Sequence, residues 1–267
     1  MNLKEKLNSS EKLTISDAEL AYMLENIGHP DAELRDETIY ALFGEAFYQN
    51  AFSLEQVTSL YQEVMKRQLL FYHSNQEEMS YELVRSFSSL LLALIVFYDN
   101  NDDSIYQGVL DDETRNQIFR DAIKHISQEP NAHGYLKEFG WVHSIAHAAE
   151  LLLRVVQHSL YPKSLNKDLL EALTNCFIKQ KRLFSDAEEK RIGLVLTSMI
   201  KHNKLSLKAF EEWLDALKGH YNTLDTLSVS TFRSQENLVN MLNDMNVYLD
   251  DENFTSIIKT FRTIYDV

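Results

Sequence analysis

The stretch that most constrains this chain is Gly140-Trp141-Val142-His143-Ser144-Ile145-Ala146-His147-Ala148-Ala149-Glu150-Leu151-Leu152-Leu153-Arg154. Wound as a helix at about 100° per residue, it places His143, His147, Glu150 and Arg154 on one stripe about 60° wide. The rest of its circumference is apolar. A helix that is apolar nearly all round is packed on several sides. Two imidazoles, a carboxylate and a guanidinium on it must therefore find partners or face a cleft. The spacing predicts a central helix from Gly140 to Gln157 with this stripe on its working side.

Seven Gly and three Pro in 267 residues leave few chain breakers, which points to helices rather than hairpins. The net charge of −14 argues against a nucleic-acid or anionic-membrane partner. The single cysteine, Cys176, excludes an intramolecular disulfide and a multi-cysteine metal cluster. Met1 to Lys6 is polar, without the apolar core of a signal peptide, and the longest apolar run, Leu90 to Tyr98, is too short to span a bilayer. These features lead us to expect a cytoplasmic protein.

Capping boxes at Ser16–Glu19, Ser53–Gln56 and Ser185–Glu188 announce three helix starts. Apolar spacing predicts further helices from Asp31 to Phe47, Glu78 to Tyr98, Asp111 to Ile126, Asn166 to Phe184, Leu207 to Lys218, Ser234 to Leu249 and Asn253 to Tyr265. No segment shows a period of two. Short connections between helices of similar length suggest stacked antiparallel pairs, and no linker divides the chain. The expectation is therefore one all-α domain over residues 1–267, folded as a HEAT-like α-α superhelix. Two similar helix starts, Asp31 to Arg35 and Asp186 to Arg191, fit such an array, although two good N-caps arising independently would look the same.

His143 and His147 stand four apart, the spacing that lets two imidazoles bind one metal from one helix face, with Glu150 as a third donor. Ser144 stands where zinc hydrolases of the HExxH type carry their general base, and the permanent charge of Arg154 opposes a cation. A divalent metal at His143, His147 and Glu150 is thus one reading, and no cofactor is the simpler one. A structural network, with Glu150 paired to Arg154 and the histidines bonded to neighbouring carbonyls, is another. The third is a ligand pocket drawing on Trp141, His143, His147, Glu150 and Arg154, with Arg35 and Arg191 from the two similar helix starts. Arg35-Asp36 and Glu189-Arg191 read more simply as inter-helix ion pairs, His125 and His133 as peripheral, and Cys176 as a core residue.

The same stretch, Gly140-Trp141, then His143, Ala146-His147, Ala149-Glu150 and Leu151-Leu152, resembles a bacterial family known as a domain of unknown function (two-seven-eight-five). Leu34-Arg35-Asp36-Glu37, Tyr135 to Glu138 and Glu188 to Arg191 are similar to it as well, so the likeness runs from the second helix to the tenth. Ala148 stands in place of an expected Gly, and Glu150 in place of an expected Asp. The resemblance implies an all-helical, HEAT-like fold and no particular activity. Two functions then stand side by side. One is an interaction module whose concave polar groove takes a peptide, a protein or a small polar ligand at the His143/His147/Glu150 stripe. The other is a metal- or acid/base-dependent, hydrolase-like enzyme acting on a small polar substrate at the same stripe.

Overall fold

The computed structural model describes residues 3–9, 12–76, 78–224 and 228–262. Among the described residues the fold is all-α apart from one two-stranded hairpin. Its helices are α1 (Leu3–Leu7), α2 (Asp17–Glu25), α3 (Ala41–Tyr48), α4 (Leu54–Lys66), α5 (Met79–Asp99) and α6 (Asp112–Gln128). After the hairpin strands β1 (Tyr135–Leu136) and β2 (Gly140–Trp141) come α7 (Ser144–Gln157), α8 (Asn166–Lys179) and α9 (Glu188–Lys201). The chain ends with α10 (Leu207–Tyr221), α11 (Val229–Leu249) and α12 (Glu252–Arg262). Of the expected last helix, 263–265 lie outside the described residues, as do Met1 and Asn2 of the polar start.

Two of the three capping boxes form as the sequence predicts, with Ser16 paired to Glu19 and Ser53 to Gln56. The third does not. Asp186 is drawn away to accept the Tyr135 N–H, Ala187 turns left-handed at φ 68°, and α9 begins only at Glu188. The helix expected from Asp31 opens instead with a widened π-helical segment, Glu33–Tyr40, before continuing as α3. The expected central helix is also shorter at its start. Gly140 and Trp141 pair antiparallel with Leu136 and Tyr135, and helix begins at Ser144. Strands of two residues are too short for any alternation to show in the sequence.

α5 is the pillar of this arrangement. Its 21 residues are long and apolar enough to cross a membrane, contrary to the expectation from the run Leu90 to Tyr98, but 72% of its most apolar window is buried within the fold. α5 packs on α7, α7 on α9 and α9 on α11, while α6 lies against α7 and α8. One contiguous set of buried apolar side chains runs from Leu3 to Ile258. Cys176 belongs to it, and burial pushes its thiol up to about 12, so it is an inert core residue.

A helix so deeply buried must find partners for the charged side chains it carries. At its C-terminal end Asp99 accepts from Arg115 Nε at 2.8 Å, the Leu110 N–H at 2.8 Å and His158 Nε2 at 3.0 Å, tying the start of α6 and the end of α7 to α5. Nearer its start Glu82, Arg85 and Ser86 recur at helical spacing and hold the segment 129–144. Arg85 makes a two-pronged pair with Glu129 at 2.8 and 2.7 Å, with both side chains fully buried.

Removing one partner of such a pair strands the other charge. Arg85→Met should therefore cost about 3–5 kcal/mol in chemical denaturation, and adding Glu129→Gln should recover part of that loss. Equal losses in the single and double variants would show that the pairing is not what Arg85 contributes.

Candidate functional site

Three elements converge on the hairpin between α6 and α7. Glu82 of α5 accepts from Ser144 Oγ at 2.7 Å and lies 2.8 Å from His133 Nδ1, so this buried carboxylate sits at the first turn of α7. From the π-helical segment, the fully buried Arg35 donates to the carbonyls of His29 at 2.9 Å, Phe139 at 2.7 Å and Trp141 at 3.2 Å. Its guanidinium also lies 4.6 Å from the Phe87 ring centre and reaches the neighbouring Asp36 carboxylate. Asp186 holds the Tyr135 N–H from the third side. Gly140, at φ 70°, fits beneath this clamp because a Cβ there would meet the Ala32 Cβ at 2.8 Å.

The hairpin delivers His143 in a left-handed conformation (φ 47°, ψ 37°) as the residue capping α7, and His147 one turn later. Left-handed backbone is tolerated by His more than by most residues, and such positions gather at functional sites. The two imidazoles meet edge to face at 5.6 Å, and Trp141 stacks on His143 at 4.4 Å. Together with Asp36, Tyr40, Phe87 and Leu90 they line a cleft of about 230 Å³.

The hydrogen bonds determine which nitrogen of His147 carries the proton. Ser86 Oγ donates to the Val142 carbonyl, and its remaining contact is His147 Nδ1 at 2.7 Å. Having one proton already committed, Ser86 must accept from His147, so Nδ1 is protonated and Nε2 keeps a free lone pair. Burial, with the nearby His143, Arg191 and Arg35, holds the His147 ring well below its ordinary value and therefore neutral at pH 7. Burial also lowers His143, outweighing the attraction of Asp186.

His143 Nε2 lies 4.0 Å from Glu188 Oε1, and both buried atoms lack a hydrogen-bond partner. Burial raises the Glu188 carboxyl above its ordinary value, against the pull of the Asp186 and Glu188 main-chain N–H groups. The left-handed residues His143 and Ala187 thus bring the first turns of α7 and α9 face to face.

The structure separates the residues singled out in the sequence into three groups. Trp141, His143 and His147 share the cleft. Glu150 and Arg154 pair with each other, with Nε and Nη2 of Arg154 at 2.9 and 2.6 Å from Oε1, and Arg191 approaches the other oxygen at 3.7 Å. Arg35 lies beneath the cleft with its donors spent on the hairpin, and its ion pair with Asp36 lies within one segment rather than between helices. Glu189 does not pair with Arg191, whose partner is Glu150.

Glu150 does not join His143 and His147 as a third donor, because its carboxylate is held by Arg154 and Arg191. Among the described residues no group of three His, Cys, Asp or Glu side chains is placed to hold a metal ion. Glu82 and Ser86 were missed as site residues in the sequence. The run Glu82, Arg85, Ser86, Ser89 on an otherwise apolar helix was the available signal. Of the two peripheral histidines, His133 holds Glu82, and His125 is a core residue whose ring burial brings down to about 3.

A histidine held neutral by the fold makes stability depend on pH. The unfolded chain takes up a proton near pH 6.5 that folded His147 refuses, so stability is full above that pH and falls as pH drops below it. His147→Asn keeps a donor for Ser86 and removes the titration, so its melting temperature should fall less between pH 7 and 5 than that of the parent. Parallel profiles would mean that His147 is protonated in the fold.

The family model described as a protein of unknown function (DUF2785) matches residues 70–250. That span runs from just before α5 to just past α11, and it includes the hairpin, both cleft histidines and Glu188. No curated protein and no solved structure matches the chain. Covering more than half of its residues, the match shows that this chain belongs to the DUF2785 family.

Proposed function

We propose that this chain is a single-domain binding module of the cytoplasm, whose cleft at Trp141, His143 and His147 takes one small group of a peptide, protein or polar ligand. The observation that carries this reading is the construction of the cleft. Aromatic and aliphatic side chains border a neutral imidazole whose free nitrogen is determined by Ser86. Ligand pockets combine such apolar walls with a few fixed polar groups. At about 230 Å³ the cleft falls below the range of pockets for whole drug-sized molecules, so it suits one side chain or head group. The order α5, α7, α9, α11, with α6 beside α8, supports a HEAT-like superhelix of helix pairs carrying this groove. The charge of −14 supports a partner that is neither nucleic acid nor anionic membrane.

A second reading has one observation of its own. The facing atoms His143 Nε2 and Glu188 Oε1 suit a proton-transfer pair, which would make the chain an acid/base enzyme on a small polar substrate. The first reading is preferred because Glu188 is wholly buried behind His143 and does not line the cleft.

Trp141 borders the cleft and supplies a direct test. In a fragment screen by NMR, small amines, acids, amides and alcohols are added singly. The binding reading expects a saturable shift of the Trp141 indole signal that is lost in His147→Ala. Fragments that leave Trp141 unmoved across the whole set would contradict it, and turnover of a bound fragment would favour the enzyme.

A further inference from the structure

We infer that the group seated in this cleft is an uncharged phenol, as carried by a tyrosine side chain. The inference rests on the binding reading above and names its ligand class. Charge and hydrogen bonding narrow the choice first. His147 Nε2 keeps a lone pair, because Nδ1 carries the ring proton to Ser86, so a ligand that meets this nitrogen must donate.

A cation is refused. The charges that act on His147 come from His143, Arg191 and Arg35, and all of them oppose a positive charge there. Asp36, the carboxylate on the lining, is paired through both oxygens with the buried Arg35. An anion is refused as well, since its lone pairs would face the lone pair of Nε2 beside that same carboxylate. Arg35 has its donors spent on His29, Phe139, Trp141 and Asp36, and Arg154 is held by Glu150. What remains is a neutral O–H or N–H donor.

The walls choose among neutral donors. Tyr40 and Phe87 meet edge to face at 6.1 Å, and Phe87 and His147 at 5.2 Å. Trp141 is exposed at the mouth and stands 5.0 Å from the exposed Tyr135. A further ring adds to such an array by edge or offset contact, which favours an aromatic group beyond the apolar area it covers. An alkanol or a carboxamide would satisfy Nε2 and leave these rings bare. A phenol serves both: its ring lies against Trp141, and its hydroxyl, which keeps its proton up to about pH 10, donates to Nε2. Because the cleft is open, water competes for that hydrogen bond, so the ring supplies most of the affinity and the hydroxyl the selectivity.

The test compares p-cresol with toluene, which lacks the hydroxyl, and with p-methylanisole, in which it is methylated. Benzylammonium and p-toluate supply the two charges, and N-acetyl-tyrosinamide the peptide form. Binding to the full chain is followed by the Trp141 indole signal. p-Cresol should bind about fivefold more tightly than toluene or p-methylanisole, as one hydrogen bond made in competition with water allows. Ser86→Ala releases the ring proton from Nδ1 and should shrink that preference.

Because the first comparison uses the unaltered protein, it holds even if the variant folds poorly. N-acetyl-tyrosinamide binding at least as tightly as p-cresol supports the phenol with a peptide as its source, and weaker binding supports it with a free phenol as the source. Toluene, p-methylanisole, benzylammonium or p-toluate binding as tightly as p-cresol would overturn the phenol and leave the binding module standing. Silence from this whole set, with another fragment of the wider screen bound, would overturn the phenol alone. Silence from every fragment would overturn both.

Discussion

A helix buried on nearly every side must find partners for the charges it carries, and the rest of this fold follows from how α5 meets that requirement. Its C-terminal Asp99 gathers the beginning of α6 and the end of α7. Glu82, Arg85 and Ser86 gather the crossing between those two helices. Apolar packing supplies most of the stabilisation in a core of this kind. The buried polar contacts add specificity, since each would be stranded if the segment 129–144 settled elsewhere.

That segment is where structure turns into chemistry. Without the hairpin, α7 would begin at Gly140 and His143 would lie on its flank. With it, His143 adopts a left-handed conformation beside Glu188 and under Trp141, and His147 presents a chosen nitrogen to the cleft. Arg35 and Asp186, from the two similar helix starts, both act on this hairpin, one on its carbonyls and the other on an amide. Their resemblance therefore acquires a local meaning: both starts clamp the same crossing.

Much of the helix pattern was legible from capping boxes and apolar spacing, because those signals are local. The pairing of Glu150 with Arg154 was legible for the same reason, as neighbours one turn apart on a helix. What escaped was set by contacts distant in the sequence. Ser185–Glu188 has the letters of a capping box, yet Asp186 is claimed by Tyr135, 51 residues away. The unbroken helical periodicity through Gly140 concealed a strand pair closed by Arg35, and the stripe of polar residues on α5 showed no partner until α7 was packed against it. The sequence reading also placed Glu150 in the site on angle alone, whereas Arg154 and Arg191 hold its carboxylate.

The central claim is that Ser86 determines what His147 offers to the cleft. It is tested most directly by the ring nitrogen chemical shifts of ¹⁵N-labelled His147 at pH 7. The account predicts a neutral ring with the proton on Nδ1 and a lone pair on Nε2, changing in Ser86→Ala as the choice of tautomer is released. A proton on Nε2, or a doubly protonated ring, would contradict it.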